Sequence, residues 1–430
     1  MSERIIFRHA LLPGGWAEHV ALSFKGGVIT QVETGVAGGT GIALPGMPNL
    51  HSHSFQRAMA GKAEYRGPTA DSFWTWRELM YKLALALDPD DVQAIASLAF
   101  TEMLEGGFTC VAEFHYLHHA PDGTPYADIA EMAARLAAAA AETGIELLLL
   151  PVFYAHSGFG GKPPAEGQRR FINSLESYAK LHARCRELSA TGCAPHSLRA
   201  ATLEEISALN ALNGNAPFHI HIAEQTAEVE ASIAFSGARP VEYLLANAPV
   251  ASNWCLVHAT HITKDEAHSM ANANAVAGLC PITEANLGDG IFPAQHFAGA
   301  WGIGSDSNVL IDAARELQML EYSQRLGQRQ RNVMATAATR STATALYQHA
   351  VAGGAQAMGL GSGLAAGALA SFITITGEAP EDALANALFT ARTPAVQEVW
   401  VRGRRVVEGG QHVQAATARA RFNAVLHKRL

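Results

Sequence analysis

The sequence predicts an α/β fold, a (β/α)8 TIM-type barrel joined to a small β-sandwich-like domain built from both chain termini. Three observations predict it. Eight short apolar runs alternate with helical patterns, β-rich segments bracket those runs, and 430 residues with 49% hydrophobic content allow one large core plus a smaller one. Residues 1–44 and 366–430 are assigned to the small β domain and 45–365 to the barrel.

The β-rich bracket comes first in the chain. VALSFKGGVITQV, Val20 to Val32, reads as two strands around Lys25-Gly26-Gly27, with glycine supplying the turn. Near the other end, SFITITG (Ser371 to Gly377) and VWVRGRRVVEGGQHV (Val399 to Val413) carry β-branched residues around Arg-Gly and Gly-Gly turns. The two ends are therefore expected to pair. Between them lie the eight runs IALPGMPNL, FTCVAEF, IELLLLPVF, GCAPHS, PFHIHIA, WCLVHA, AVAGLCP and WGIGSD. Helix signals separate most of them: Asp88-Pro89-Asp90-Asp91 opens a helix that stops at Gly106-Gly107, and Thr202 with Glu205 and Thr263 with Glu266 form capping boxes. The Ala137 to Ala141 stretch reads as helix. A doubly wound sheet is the competing architecture, but no Gly-rich fingerprint follows the first run.

Composition narrows the partners. A net charge of −8 without a basic cluster argues against nucleic acid and anionic membrane surfaces. Cys110, Cys185, Cys193, Cys255 and Cys280 are odd in number and contain no Cys-x-x-Cys pair, which suits reduced thiols in the cytoplasm. MSERIIFRHALL has charges on both sides of a very short apolar run and is not read as a signal peptide, and no run is long enough to span a membrane.

The strand ends carry the chemistry. His51 and His53 lie one residue apart, so on a strand both imidazoles face one space. His221 and Glu224 end the fifth run, His258 the sixth and Asp306 the eighth. A barrel places its active site where its strands end, so these residues are expected at one mouth. Three imidazoles and a carboxylate suit one divalent transition metal, Zn²⁺ first among them with Fe²⁺ and Mn²⁺ open, and a free position for water implies hydrolysis.

On these motifs the chain resembles the amidohydrolase superfamily, and within it the deaminases that use a single metal. His-x-His after strand one, His-x-x-Glu after strand five, His after strand six and Asp after strand eight all match. The bridging lysine of two-metal members has no counterpart near Cys193-Ala194-Pro195-His196. PNLHSHSFQRAM, DSFWTWRELMY, EFHYLHH, APHSLRA and HIHIAEQ are similar to the formimidoylglutamate deiminase family. That resemblance implies hydrolysis of N-formimidoyl-L-glutamate to N-formyl-L-glutamate and ammonia in histidine degradation. It also implies a homodimer, with the metal held by His51, His53, His221 and Asp306.

In that chemistry the metal would lower the pKa of its water toward ~7 and so supply hydroxide at neutral pH. Asp306 would take the water's proton, Glu224 would protonate the imino nitrogen, and His258 would orient the water and stabilise charge. Glu224 has an alternative role as a cap on the following helix. A substrate with two carboxylates needs placed donors, and Arg199 and Arg77 are the candidates because arginine forks match carboxylates. The resemblance also implicates Gln56, Tyr116 and His196. Arg77 reads equally as a solvated helix residue, and Trp74 and Trp76 as core or interface aromatics; their loop is either a lid or a subunit contact. His118, His119, His156, His219 and His261 are expected to be structural or rim residues. Two rival functions remain: a deaminase of guanine-type or other heteroaromatic rings, and a non-catalytic relative.

Overall fold

The computed structural model describes residues 3–66, 72–391 and 395–429. Asp71, which opens the DSFWTWRELMY block, lies outside them, as do Met1 and Ser2 of the N-terminal segment read above.

The chain begins with strands β1 (Glu3–Leu12), β2 (Gly15–Lys25), β3 (Val28–Glu33) and β4 (Ile42–Pro45). β2 and β3 form the expected hairpin, with Gly26 and Gly27 both at positive φ in its turn. β1 is an addition to the sequence reading. It pairs antiparallel with β2 across the Pro13-Gly14 turn and parallel with β4.

Gly46 then ends the run IALPGMPNL in one sheet and passes its second half to another. A Cβ there would lie 2.2 Å from Thr109 Oγ1, closer than any side chain tolerates. β5 (Met47–Ser52), β6 (Phe108–His115), β7 (Glu146–Phe153) and the short β8 (Ala190–Thr191) form one parallel sheet, with β9 (Ala194–Pro195) also on β7. β10 (Phe218–Ile222), β11 (Trp254–His258), β12 (Val276–Leu279) and β13 (Trp301–Ile303) form a second. Parallel bridges Ser52–Asp306 and Cys193–Phe218 join the two sheets. All eight expected runs are strands, and their continuous burial is what a parallel sheet covered on both faces requires.

Helices intervene as their caps predicted. Asp88 caps the helix Pro89–Glu105, Thr202 caps Leu203–Asn213 and Thr263 caps Lys264–Asn272, each accepting a bond from the backbone three residues on. The chain closes with β14 (Phe372–Ile375), β15 (Val396–Val401), β16 (Arg404–Glu408) and β17 (Gln411–His412).

β14 pairs antiparallel with β4, so both termini share one eight-stranded sheet, in the order β17-β16-β15-β14-β4-β1-β2-β3. The sheet folds on itself: the Gly26-Gly27 turn reaches Arg402, and Phe7, Phe24, Phe372 and Trp400 pack between its halves. The C-terminal helix Ala415–Arg429 leaves this sheet. It crosses to the helix Pro89–Glu105, with Lys428 and Arg429 paired to Asp88 and Asp91 and Arg419 to Glu102.

Candidate active site

His51 lies at the end of β5 and His53 directly after it, both buried, with the loop after β13 laid against them. The His53 amide donates to Asp306 O (2.9 Å) and the Asp306 amide donates to His51 O (3.0 Å). That approach needs Gly304, where a Cβ would stand 2.7 Å from His51 O. A buried polar group fixes the loop: Asn49 donates to Ser305 Oγ (2.7 Å), Ser305 Oγ donates to Asn308 (2.7 Å), and Asn308 donates to Asp306 O (2.9 Å). Asp306 and His258 both take positive φ, a conformation held only because the surroundings determine it.

Four ligand atoms converge here. His51 Nε2 lies 3.2 Å from His53 Nε2 and 3.1 Å from His221 Nε2, and Asp306 Oδ1 is 3.4 and 3.2 Å from His51 and His53. His53 Nδ1 donates to Phe114 O (2.8 Å) and His221 Nδ1 to His196 O (3.0 Å), which leaves the Nε2 lone pairs directed at one point. Lone pairs facing each other in a buried site repel unless a cation lies between them. A divalent ion ~2.0–2.1 Å from each ligand in tetrahedral geometry separates neighbouring ligand atoms by roughly 3.3 Å, the spacing seen. The residues therefore fit such an ion, and burial favours the neutral imidazoles it needs, pushing His51 down to about 3 and His53 below its usual range. Burial opposes ionisation of Asp306, but the polar contact with His51 and the nearby His258 cation outweigh it and hold the carboxyl below its usual range.

Around this cluster lies a cavity of about 550 Å³ including its open mouth. Glu224, after β10, is buried, and burial pushes its carboxyl up to about 6 against the pull of His258 and Arg199. It makes no cap bond to the helix Thr226–Ser236, so the capping alternative is not what its side chain does. His258 Nε2 faces Glu224 (4.0 Å) and Asp306 (3.9 Å), while Nδ1 donates to Glu284 (3.3 Å). Burial opposes charge on the ring, yet these three carboxylates push it up to about 10.

Arg199 lines the cavity, with Nη2 3.9 Å from Glu224 and with Nε and Nη2 both buried and without a hydrogen-bond partner among the described residues. Arg77 lines it too, half-buried on the helix Phe73–Ala86 with its guanidinium 4.4 Å over Trp74. Gln56 donates to Tyr116 (2.8 Å), and His196 stands 4.8 Å from His221 ring to ring. Every candidate site residue thus borders the cavity or the four-atom cluster.

The histidines expected to be structural make other bonds. His118 pairs with Val152 O, His119 with Ile172 O, His219 with Ala357 O and His156 with Glu205, while His261 borders none of the cavity. Sequence reasoning missed Glu284, Tyr81 and Tyr154. Tyr154 directly follows β7, so the same strand-end rule finds it; Glu284 sits on a helix after β12, where no motif marks it.

The amidohydrolase family model matches residues 42–406. The chain belongs to the amidohydrolase family. Residues 3–41 match the N-terminal domain of formimidoylglutamate deiminase HutF. The chain is 48% identical over 446 aligned positions, covering 98% of both sequences, to a formimidoylglutamate deiminase of Pseudomonas aeruginosa. It superimposes on an amidohydrolase crystal structure from Brucella melitensis with a TM-score of 0.96 at 51% identity over 99% of both chains. A zinc-bound adenosine deaminase from Xanthomonas campestris shares the fold, with a TM-score of 0.77 at 22% identity over 98% of both chains.

Proposed function

We propose that this chain hydrolyses N-formimidoyl-L-glutamate to N-formyl-L-glutamate and ammonia in histidine degradation. The observation that carries the reading is one cavity combining the four-ligand cluster, the carboxyl of Glu224 buried beside His258, and an arginine whose buried Nε and Nη2 make no hydrogen bond among the described residues. The first two suit deimination, and the third suits a carboxylate-bearing substrate rather than a neutral base. The relative from Pseudomonas aeruginosa carries the same activity in its name.

One Zn²⁺ held by His51, His53, His221 and Asp306 would act as a Lewis acid and acidify water. Asp306, kept ionised, accepts the attacking water's proton. Glu224 delivers a proton to the departing nitrogen, a task suited to a carboxyl with a raised pKa. His258, held cationic, stabilises negative charge at the tetrahedral centre. Arg199 and Arg77 clamp the two carboxylates, and Gln56, Tyr116 and His196 complete the binding wall.

The architecture follows the same reading. Residues 45–365 form a closed (β/α)8 barrel, supported by the bridges joining the two parallel sheets, and 1–44 with 366–430 form its companion domain. Five free, buried cysteines suit a cytoplasmic enzyme, which we place as a homodimer. No helix among the described residues is long and apolar enough to cross a membrane.

Ammonia release from formimidoylglutamate, guanine and adenosine tests the function. Release from the first alone is expected, and release from a purine instead would overturn the reading.

A further inference from the structure

The wall bearing the two arginines also holds a pair of phenols with no assigned role. Tyr154 and Tyr81 both border the cavity, Tyr154 with its ring 4.7 Å from that of His196 and Tyr81 with its ring 5.6 Å beneath the Arg77 guanidinium. Behind them, buried Gln168 donates to both, at 2.8 Å to the Tyr154 hydroxyl and 3.3 Å to that of Tyr81. Its carbonyl oxygen accepts from the Ala165 amide (2.7 Å), which fixes which end of the side chain is NH₂.

This arrangement dictates where the phenol protons go. A tyrosine hydroxyl has one proton and can also accept. Both oxygens already accept from Gln168, so neither proton can return to it. Even if one phenol donates to the other, the second proton is left without a hydrogen-bond acceptor among the described residues, and both tyrosines border the cavity. Burial keeps the Tyr154 phenol protonated, pushing it above its usual range. Arg199, on the same wall, lies 3.9 Å from Glu224, yet its Nε and Nη2 make no hydrogen bond among the described residues, so it has donors to offer a ligand carboxylate.

We propose that Tyr81 and Tyr154 are specificity-determining donors to the substrate carboxylate seated by Arg199, with Gln168 as the positioning residue that turns their protons into the cavity. The inference rests on the dicarboxylate substrate proposed above. Gln168 touches no reacting atom; it acts by filling the acceptor side of both hydroxyls.

Tyr81→Phe, Tyr154→Phe and their double variant remove the hydroxyls and keep the rings. Gln168→Glu keeps the shape and reverses the polarity, since its carboxylate accepts both phenol protons and withdraws them from the cavity. Steady-state kinetics on formimidoylglutamate should show KM rising roughly ten- to a hundredfold in the double variant and in Gln168→Glu, with kcat within about threefold. The penalty should shrink on the one monoamide analogue that replaces the carboxylate seated by Arg199. Equal penalties on the diacid and both monoamides, or an unchanged KM, would overturn the proposal. Should Gln168→Glu fail to fold, the phenylalanine variants carry the test alone. Calorimetric binding of glutarate separates the two readings: weakened binding in the variants of a wild type that releases no ammonia sinks the deiminase reaction and leaves the carboxylate seat standing. Unchanged glutarate binding sinks the seat.

Discussion

Asp306 is the residue on which the site turns, because it belongs to the four-atom cluster and is also the group placed to take a proton. Asp306→Asn keeps the size and one oxygen but cannot accept that proton. We expect turnover to fall by at least ~10³-fold while the far-UV circular dichroism stays unchanged. Near-normal turnover in that variant would move the base elsewhere. The strand-end histidines were legible because a strand projects residues i and i+2 to one side, a rule that needs no tertiary knowledge. Glu284, Gln168 and the Asn49–Ser305 pair were not, since they meet the site through contacts 26, 87 and 256 residues apart in the chain. Arg77 shows the boundary between the two cases: its alternatives were a clamp or a solvated helix residue, and it is half-buried over Trp74 while bordering the cavity.

At the scale of elements, helix starts were the most readable features. A capping side chain and the amide it accepts from are three residues apart, so Asp88, Thr202 and Thr263 declare themselves locally. β1 did not, since what makes it a strand is its neighbours β2 and β4. Asp88 joins both kinds of information, as it caps Pro89–Glu105 and also pairs with Lys428 and Arg429. Burial works against its ionisation, but the Lys428 bond, the Asp91 amide and the two nearby cations hold its carboxyl down to about 2 from an ordinary 3.8. A carboxyl with a lower pKa in the folded state stabilises fully above pH 3.8, and the contribution fades as the pH falls toward about 2. Asp88→Ala should therefore cost ~1 kcal/mol at neutral pH, chiefly the lost cap, because the exposed ion pairs add little. The gap between the thermal melts of both proteins should narrow as the pH drops below about 4. A gap that stays constant down to pH ~2.5 would show that the carboxylate charge contributes nothing.

The whole molecule is organised so that distant segments meet at one point. Elemental analysis should find about one divalent ion per chain; two equivalents at full activity would refute a single-metal site. An ion that binds only the folded state at a hundred times its Kd adds ~2.7 kcal/mol, so chelation should lower the melting temperature measurably and re-addition should restore it. That same convergence governs how the chain comes into being. β4 leads through Gly46 directly into the strand that ends between His51 and His53, yet its neighbour β14 lies near the far end of the sequence, and Asp306 is most of the way there. A ribosome adding ~5–20 residues per second needs on the order of tens of seconds between them. Through that interval the first two histidines have been made while the partners that define their geometry do not yet exist. A message truncated before Phe372 would yield a chain whose β4 keeps an open edge, the kind of surface on which nascent chains pair with one another.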